Sequence, residues 1–114
     1  MAKVNPDPVP YSGKPVGTFS CRDNKHTWYY DQIIYSNTGS RSYKIEKREN
    51  FFDGIFVSEI REGFNIGANG SAQFSSRWCS AYPKGHTAQT RFTGTDDQGN
   101  KVVFSGPIVR LLAP

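Results

Sequence analysis

Residues 87–105 read TAQTRFTGTDDQGNKVVFS, and this stretch decides the architecture. Ala88 and Phe92 fall in one phase of a two-residue period, while Gln89, Arg91 and Thr93 fall in the other. Such alternation places an apolar set on one side of an extended chain and a polar set on the other, as in a half-buried antiparallel strand. The Asp96-Asp97-Gln98-Gly99 cluster supplies residues suited to turn backbone, and residues 101–105 resume as a second strand. The pair predicts a hairpin.

The same grammar recurs upstream. Ala72, Phe74 and Trp78 alternate with Ser71, Gln73, Ser75 and Arg77, with Ser76 the one polar residue on the apolar side. A Gly67-Ala68-Asn69-Gly70 turn precedes that run, and residues 63–66 lead into the turn. Residues 27–36, TWYYDQIIYS, are dense in aromatic and β-branched side chains and predict a central strand buried on both faces. After a break at Asn37-Thr38-Gly39-Ser40, residues 42–48 put Tyr43 and Ile45 opposite Ser42, Lys44 and Glu46. Asp53-Gly54 introduces a further apolar run at 55–60, and Tyr82-Pro83-Lys84-Gly85 separates the later strands. Residues 16–21 predict a first strand closed by the turn-like 22–25, and residues 108–112 a last edge strand after Gly106-Pro107. No helical window competes, because the apolar residues of 44–52 do not recur at three and four. The expected fold is all-β, a single antiparallel β-sandwich or closed barrel of about eight short strands. Pro6, Pro8, Pro10 and Pro15 mark residues 1–15 as an extended arm before a domain at 16–114.

With 114 residues the chain has room for one core, and eight Phe, six Tyr and two Trp make a modest core sufficient. Fourteen Lys and Arg against ten Asp and Glu give a net charge of +4. The local basic patch, Arg41, Lys44, Lys47 and Arg48 around Tyr43, is interrupted by Glu46 and followed by Glu49, so it reads as a solvated strand face. Nucleic acid is therefore disfavoured as a partner, since single-strand binders join such rings to a basic groove. No segment approaches the roughly 18 apolar residues of a membrane helix. No signal peptide is visible, which leaves a cytoplasmic protein and a mature secreted form both open, and the oligomeric state is equally open. Cys21 and Cys79 are a disulfide candidate, with two buried thiols as the alternative.

Catalysis is disfavoured. The two histidines, His26 and His86, each lie beside a turn, and no signature surrounds either cysteine that would make a Cys–His nucleophile. Asp31, Glu46, Glu49, Asp53, Glu59 and Glu62 offer carboxylates that sequence cannot pair across a cleft. No spacing suits a metal, and no cofactor is implied. The polar-tipped aromatics are the more informative set, because such rings sit where one side is dry and the other wet. Trp28, Tyr30, Tyr43, Trp78 and Tyr82 are the candidate ligand-binding residues. In Trp28-Tyr29-Tyr30 neighbouring rings must face opposite sides, so at least one points away from the rest. The expected function is a non-catalytic recognition module for a glycan, lipid headgroup or protein surface. A structural component of a larger assembly and a small Cys- or carboxylate-dependent hydrolase are the alternatives.

From Ile33 onward the order of residues resembles small β-sandwiches of the aegerolysin type. The resemblance rests on Asn37-Thr38-Gly39-Ser40, Ile45, Gly54-Ile55-Phe56, the run from Ile66 to Ser76, and Phe104-Ser105-Gly106-Pro107. Immunoglobulin-like sandwiches use a turn similar to Ala68-Asn69-Gly70-Ser71-Ala72. The aegerolysin resemblance implies lipid binding without an enzyme site. It carries over no individual binding residue, because this chain is basic and lacks a Trp-rich stretch near its end.

Overall fold

A computed structural model describes residues 1–15, 21, 24–37 and 39–114. The predicted strand at 16–21 lies outside the described residues except for Cys21. Nine strands are present among the described residues: β1 (Ala2–Asn5), β2 (His26–Tyr35), β3 (Tyr43–Phe52), β4 (Ile55–Ile60), β5 (Phe64–Ile66), β6 (Ser71–Ser80), β7 (His86–Asp96), β8 (Lys101–Ser105) and β9 (Val109–Leu111). One sheet has the order β1-β2-β6; the other runs β4-β3-β7-β8, with β5 also on β3 and β9 also on β7. All these strand pairs are antiparallel, and the sheets pack face to face as a β-sandwich, not as a closed barrel.

Turn chemistry explains the hairpins. Asp53 and Gly54 both adopt positive φ, 50° and 79°, which a two-residue hairpin loop requires if its twist is to match the strands. At the β7–β8 turn the Asp96 carboxylate accepts the N–H groups of Gln98 and Asn100, both at 2.9 Å. Gly99 supplies the positive φ of 81°.

Strand β2 is central, as expected, but one face is buried along its length while on the other only Thr27 is. Trp28, Tyr30, Gln32 and Ile34 point between the sheets, whereas Tyr29, Asp31 and Tyr35 do not. The reason is that this sheet packs on the second sheet by one face, while its other face is covered at the Thr27 end by residues 12–15, where Thr27 Oγ1 donates to the Lys14 carbonyl at 2.8 Å. Tyr29 is the ring that faces away, its hydroxyl donating to the Pro15 carbonyl at 2.9 Å.

The segment 1–15, expected as an arm, is woven into the sandwich. Strand β1 pairs with β2 from Ala2↔Ile34 to Asn5↔Asp31. Val9 is fully buried and bridges to Leu111, with Val9 N–H donating to the Arg110 carbonyl and Leu112 N–H to that of Val9, both at 2.9 Å. The prolines hide this because they erase periodicity around β1, although Val9 is fully buried and Ala2, Val4 and Tyr11 pack against the core clusters.

The core is divided. One apolar cluster gathers Val9, Trp28, Tyr30, Ala88, Val109 and Leu111; the other gathers Ile34, Ile45, Ile66 and Phe92. Cys21 and Cys79 form a disulfide across 58 positions, which in the chain-entropy account constrains the unfolded chain by on the order of 4 kcal/mol.

Candidate functional site

Between the two apolar clusters lies a polar belt. Along β2 the inward row is Trp28, Tyr30, Gln32, Ile34, so Gln32 interrupts an otherwise apolar phase. Ser76 interrupts β6 in the same way, and Thr90 interrupts β7. Gln32 Nε2 donates to Ser76 Oγ at 3.0 Å and to Thr90 Oγ1 at 3.1 Å. Thr90 Oγ1 in turn donates to Asn50 Oδ1 at 2.9 Å, and Asn50 Nδ2 to Ser58 Oγ at 3.3 Å. The chain of contacts crosses from one sheet to the other.

A register irregularity brings Asn50 to this belt. Ile45 pairs with Gly94 and Lys47 with Thr93, so β3 carries one extra residue, Glu46, at a β-bulge. The bulge reverses phase: Ile45 faces in, and beyond it Arg48, Asn50 and Phe52 face in while Lys47, Glu49 and Phe51 face out. Arg48 thereby enters the space between the sheets, its guanidinium carbon 4.5 Å from the centre of the Phe74 ring.

The belt opens to solvent as a cleft of about 310 Å³ between β3 and β4 on one side and β2 and β6 on the other. Tyr30, Gln32, Arg48, Asn50, Phe74 and Trp78 shape its interior, and Ser58, Ile60 and residues 75–77, Arg77 among them, complete the walls. Trp78 Nε1 donates to Tyr30 Oη at 2.8 Å. Burial pushes the Tyr30 phenol above its ordinary pKa, against the pull of the Trp78 donor, so the hydroxyl keeps its proton at neutral pH.

Of the five aromatics expected to bind ligand, only Tyr30 and Trp78 line this cleft. Trp28 is a core residue: it is wholly buried, and its indole N–H is spent on the Leu112 carbonyl at 2.9 Å. It cannot touch a ligand. Tyr43 lies near the β3–β5 end beside Ser42, Lys44 and Asn65, and Tyr82 stands exposed on the turn before β7 with Lys84 near its ring. The expected basic patch is dispersed by the same bulge. Arg41 pairs with Asp97 at 3.3 Å, Lys44 is exposed, Lys47 pairs with Glu59 at 3.4 Å on the outer face, and Arg48 alone turns inward.

The histidines are separated. His86 is buried with Nδ1 at 2.7 Å from Asp53 Oδ2, between the Trp28 and Phe52 rings, and its Nε2 has no hydrogen-bond partner among the described residues. His26 Nδ1 lies 3.0 Å from the Tyr11 hydroxyl. Both cysteine sulfurs are in the disulfide, so neither supplies a thiolate nucleophile. Among the described residues no group of His, Cys, Asp and Glu gathers to hold a metal, and no helix is long and apolar enough to cross a membrane.

Gln32, Asn50, Ser58, Phe74 and Thr90 were not among the expected site residues. The signal for three of the belt residues was local, a polar residue in the apolar phase at Gln32, Ser76 and Thr90. Asn50 and Arg48 carried no such signal, because their orientation depends on the bulge.

No family model and no curated protein matches the sequence. Two stand among the solved structures that share the fold. The ApaA protein of Bordetella pertussis superposes with a TM-score of 0.72 at 17% identity, over 100% of this chain and 93% of its own. A structural-genomics protein designated SoR45 gives 0.67 at 17% identity, over 100% and 86%. At that identity the likeness concerns architecture.

Proposed function

We propose that this chain is a non-catalytic recognition domain whose ligand, a small polar group such as a glycan or a lipid headgroup presents, enters the cleft between the sheets. The observation that carries this reading is the hydrogen-bonded belt in the middle of the core. Each such bond contributes about 1 kcal/mol net, whereas a buried Leu or Ile at the same position would contribute about 1.5–3 kcal/mol. A sandwich selected for stability alone gains by making the belt apolar, and local rules are broken most often where a site is built. Tyr30 and Trp78 add aromatic surface with polar tips at the wet boundary.

The test is an amide-resolved NMR titration of the folded domain with neutral and charged saccharides and headgroup analogues. Shifts should gather at Gln32, Asn50, Ser58, Ser76 and Trp78, and Ser76→Leu, which fills the cleft, should abolish them without unfolding the chain. Shifts confined to Tyr82 or Tyr43, or binding untouched by Ser76→Leu, would move the site elsewhere.

A structural role is favoured by one observation, the exposed apolar run Ile55, Phe56 and Val57 on the sheet-edge strand β4. Concentration-dependent self-association abolished by Phe56→Lys, with an unresponsive cleft, would replace the recognition reading.

A further inference from the structure

Resting on the cleft as a ligand site, we infer that the group it takes is an oxyanion, a phosphate or sulfate, held by Arg48 with the hydroxyls of Tyr30, Ser58 and Ser76.

The argument is one of donors and acceptors. The Arg48 guanidinium carbon lies 4.5 Å from the centre of the Phe74 ring, and among the described residues Arg48 has neither a carboxylate within 4.0 Å nor a side-chain or carbonyl acceptor, so its N–H groups are unspent. Tyr30 Oη accepts from Trp78, Ser76 Oγ accepts from Gln32, and Ser58 Oγ accepts from Asn50. Each of these three hydroxyls therefore still has its own proton to donate, and none has an acceptor among the described residues. The cleft holds a surplus of donors around Arg48, with a second arginine, Arg77, also at its lining.

The acidic residues of the same sheet are spent on its other face. Glu49 takes a two-pronged bond from Arg91, at 3.2 and 2.9 Å. Glu59 is shared by Lys47 at 3.4 Å and Arg61 at 2.9 Å. No Asp or Glu lines the cleft. A neutral sugar offers as many donors as acceptors and would leave this surplus unmet; a phosphate or sulfate group offers acceptors only, in a geometry that guanidinium binds by two parallel bonds. The half-buried setting strengthens that attraction beyond what a surface arginine provides.

The experiment measures affinity by cleft amide shifts and tryptophan fluorescence for inorganic phosphate, glucose, glucose 6-phosphate, and vesicles of phosphatidylcholine with or without phosphatidic acid. Phosphate and at least one phosphoester should bind saturably, and glucose should not. Arg48→Gln should weaken binding about tenfold or more, Arg48→Lys less, and Arg110→Gln, an exposed arginine on β9, not at all. Tyr30→Phe gives an independent reading should Arg48→Gln fold poorly, with a loss of several-fold expected. A response to glucose 6-phosphate alone identifies a soluble phosphoester; a response to phosphatidic acid vesicles alone identifies a headgroup. Equal binding of glucose and glucose 6-phosphate in the cleft overturns the anion assignment while leaving the recognition reading intact. No saturable cleft response to phosphate or to either phosphoester, or phosphate binding unchanged in both Arg48→Gln and Tyr30→Phe, also overturns it. Responses that fall outside the cleft for every probe remove both.

Discussion

Asp53 occupies a left-handed turn position, φ 50°, and its carboxylate accepts from His86 at 2.7 Å and from the Thr87 N–H at 2.9 Å. Partial burial raises its pKa, but the Thr87 and His86 contacts outweigh that, and the net shift is below the ordinary 3.8. A carboxyl whose folded pKa is depressed stabilises the fold above its unfolded value and loses that contribution as pH falls through the folded one. Glu49, drawn down chiefly by the Arg91 hydrogen bond, and Asp96, drawn down chiefly by the Asn100 N–H, act in the same sense. Asp53→Asn should therefore cost about 1 kcal/mol at pH 7, a figure kept small because 40% of the side chain is exposed. The deficit should shrink in acid below the ordinary Asp range. Urea melts at neutral and acid pH test this; a deficit that grows in acid would contradict the assignment. Asp53-Gly54 was legible as a turn, but the partner of its carboxylate was not, since His86 lies 33 positions away.

At the scale of the strand, the β3 bulge is the decisive element. It sits opposite Gly94, where an added Cβ would collide with the Lys44 carbonyl oxygen and come within 2.8 Å of the Ile45 Cα. These are backbone atoms that cannot step aside, so Gly94→Ala should cost about 2–3 kcal/mol by overpacking. Because the bulge aims Arg48, the variant should also lose cleft binding beyond what its stability loss explains. A thermal melt with a phosphate titration of the folded fraction checks both, and a melting temperature within about a degree of the parent would show that the bulge relaxes freely. Strand existence was readable from period-two patterning: 55–60 and 101–105 coincide with β4 and β8, and the runs around 72–78 and 87–95 lie within β6 and β7. The bulge was not readable, because Tyr43 and Ile45 set a phase that no residue of the sequence interrupts, and only tertiary pairing with β7 breaks it. The inward arginine consequently looked like one more member of a solvated basic face.

Across the whole molecule, fold and site differ in how they are encoded. Apolar alternation is repeated in strand after strand, so losing one signal, as at β1, leaves the sandwich recognisable. The cleft depends on single residues from four strands meeting in register, and no local window contains that meeting. Trp28 shows the difference: its type suggested a surface ring, and its position at the centre of a cluster joining both ends of the chain made it core.

That joining bears on how the protein is made. Val9 docks against Leu111, and the Trp28 indole donates to the Leu112 carbonyl, so Val9 and Trp28 wait for residues that leave the ribosome much later. Until then the inward faces of β1 and β2 have no partner sheet, and their apolar side chains must stay solvated or be shielded by a chaperone. Nascent chains stalled with β9 still inside the ribosome should be cleaved readily by protease, and a stall placed far enough downstream for residue 112 to emerge should confer resistance. Resistance before β9 emerges would mean that the Ile34–Phe92 cluster alone can hold the domain shut.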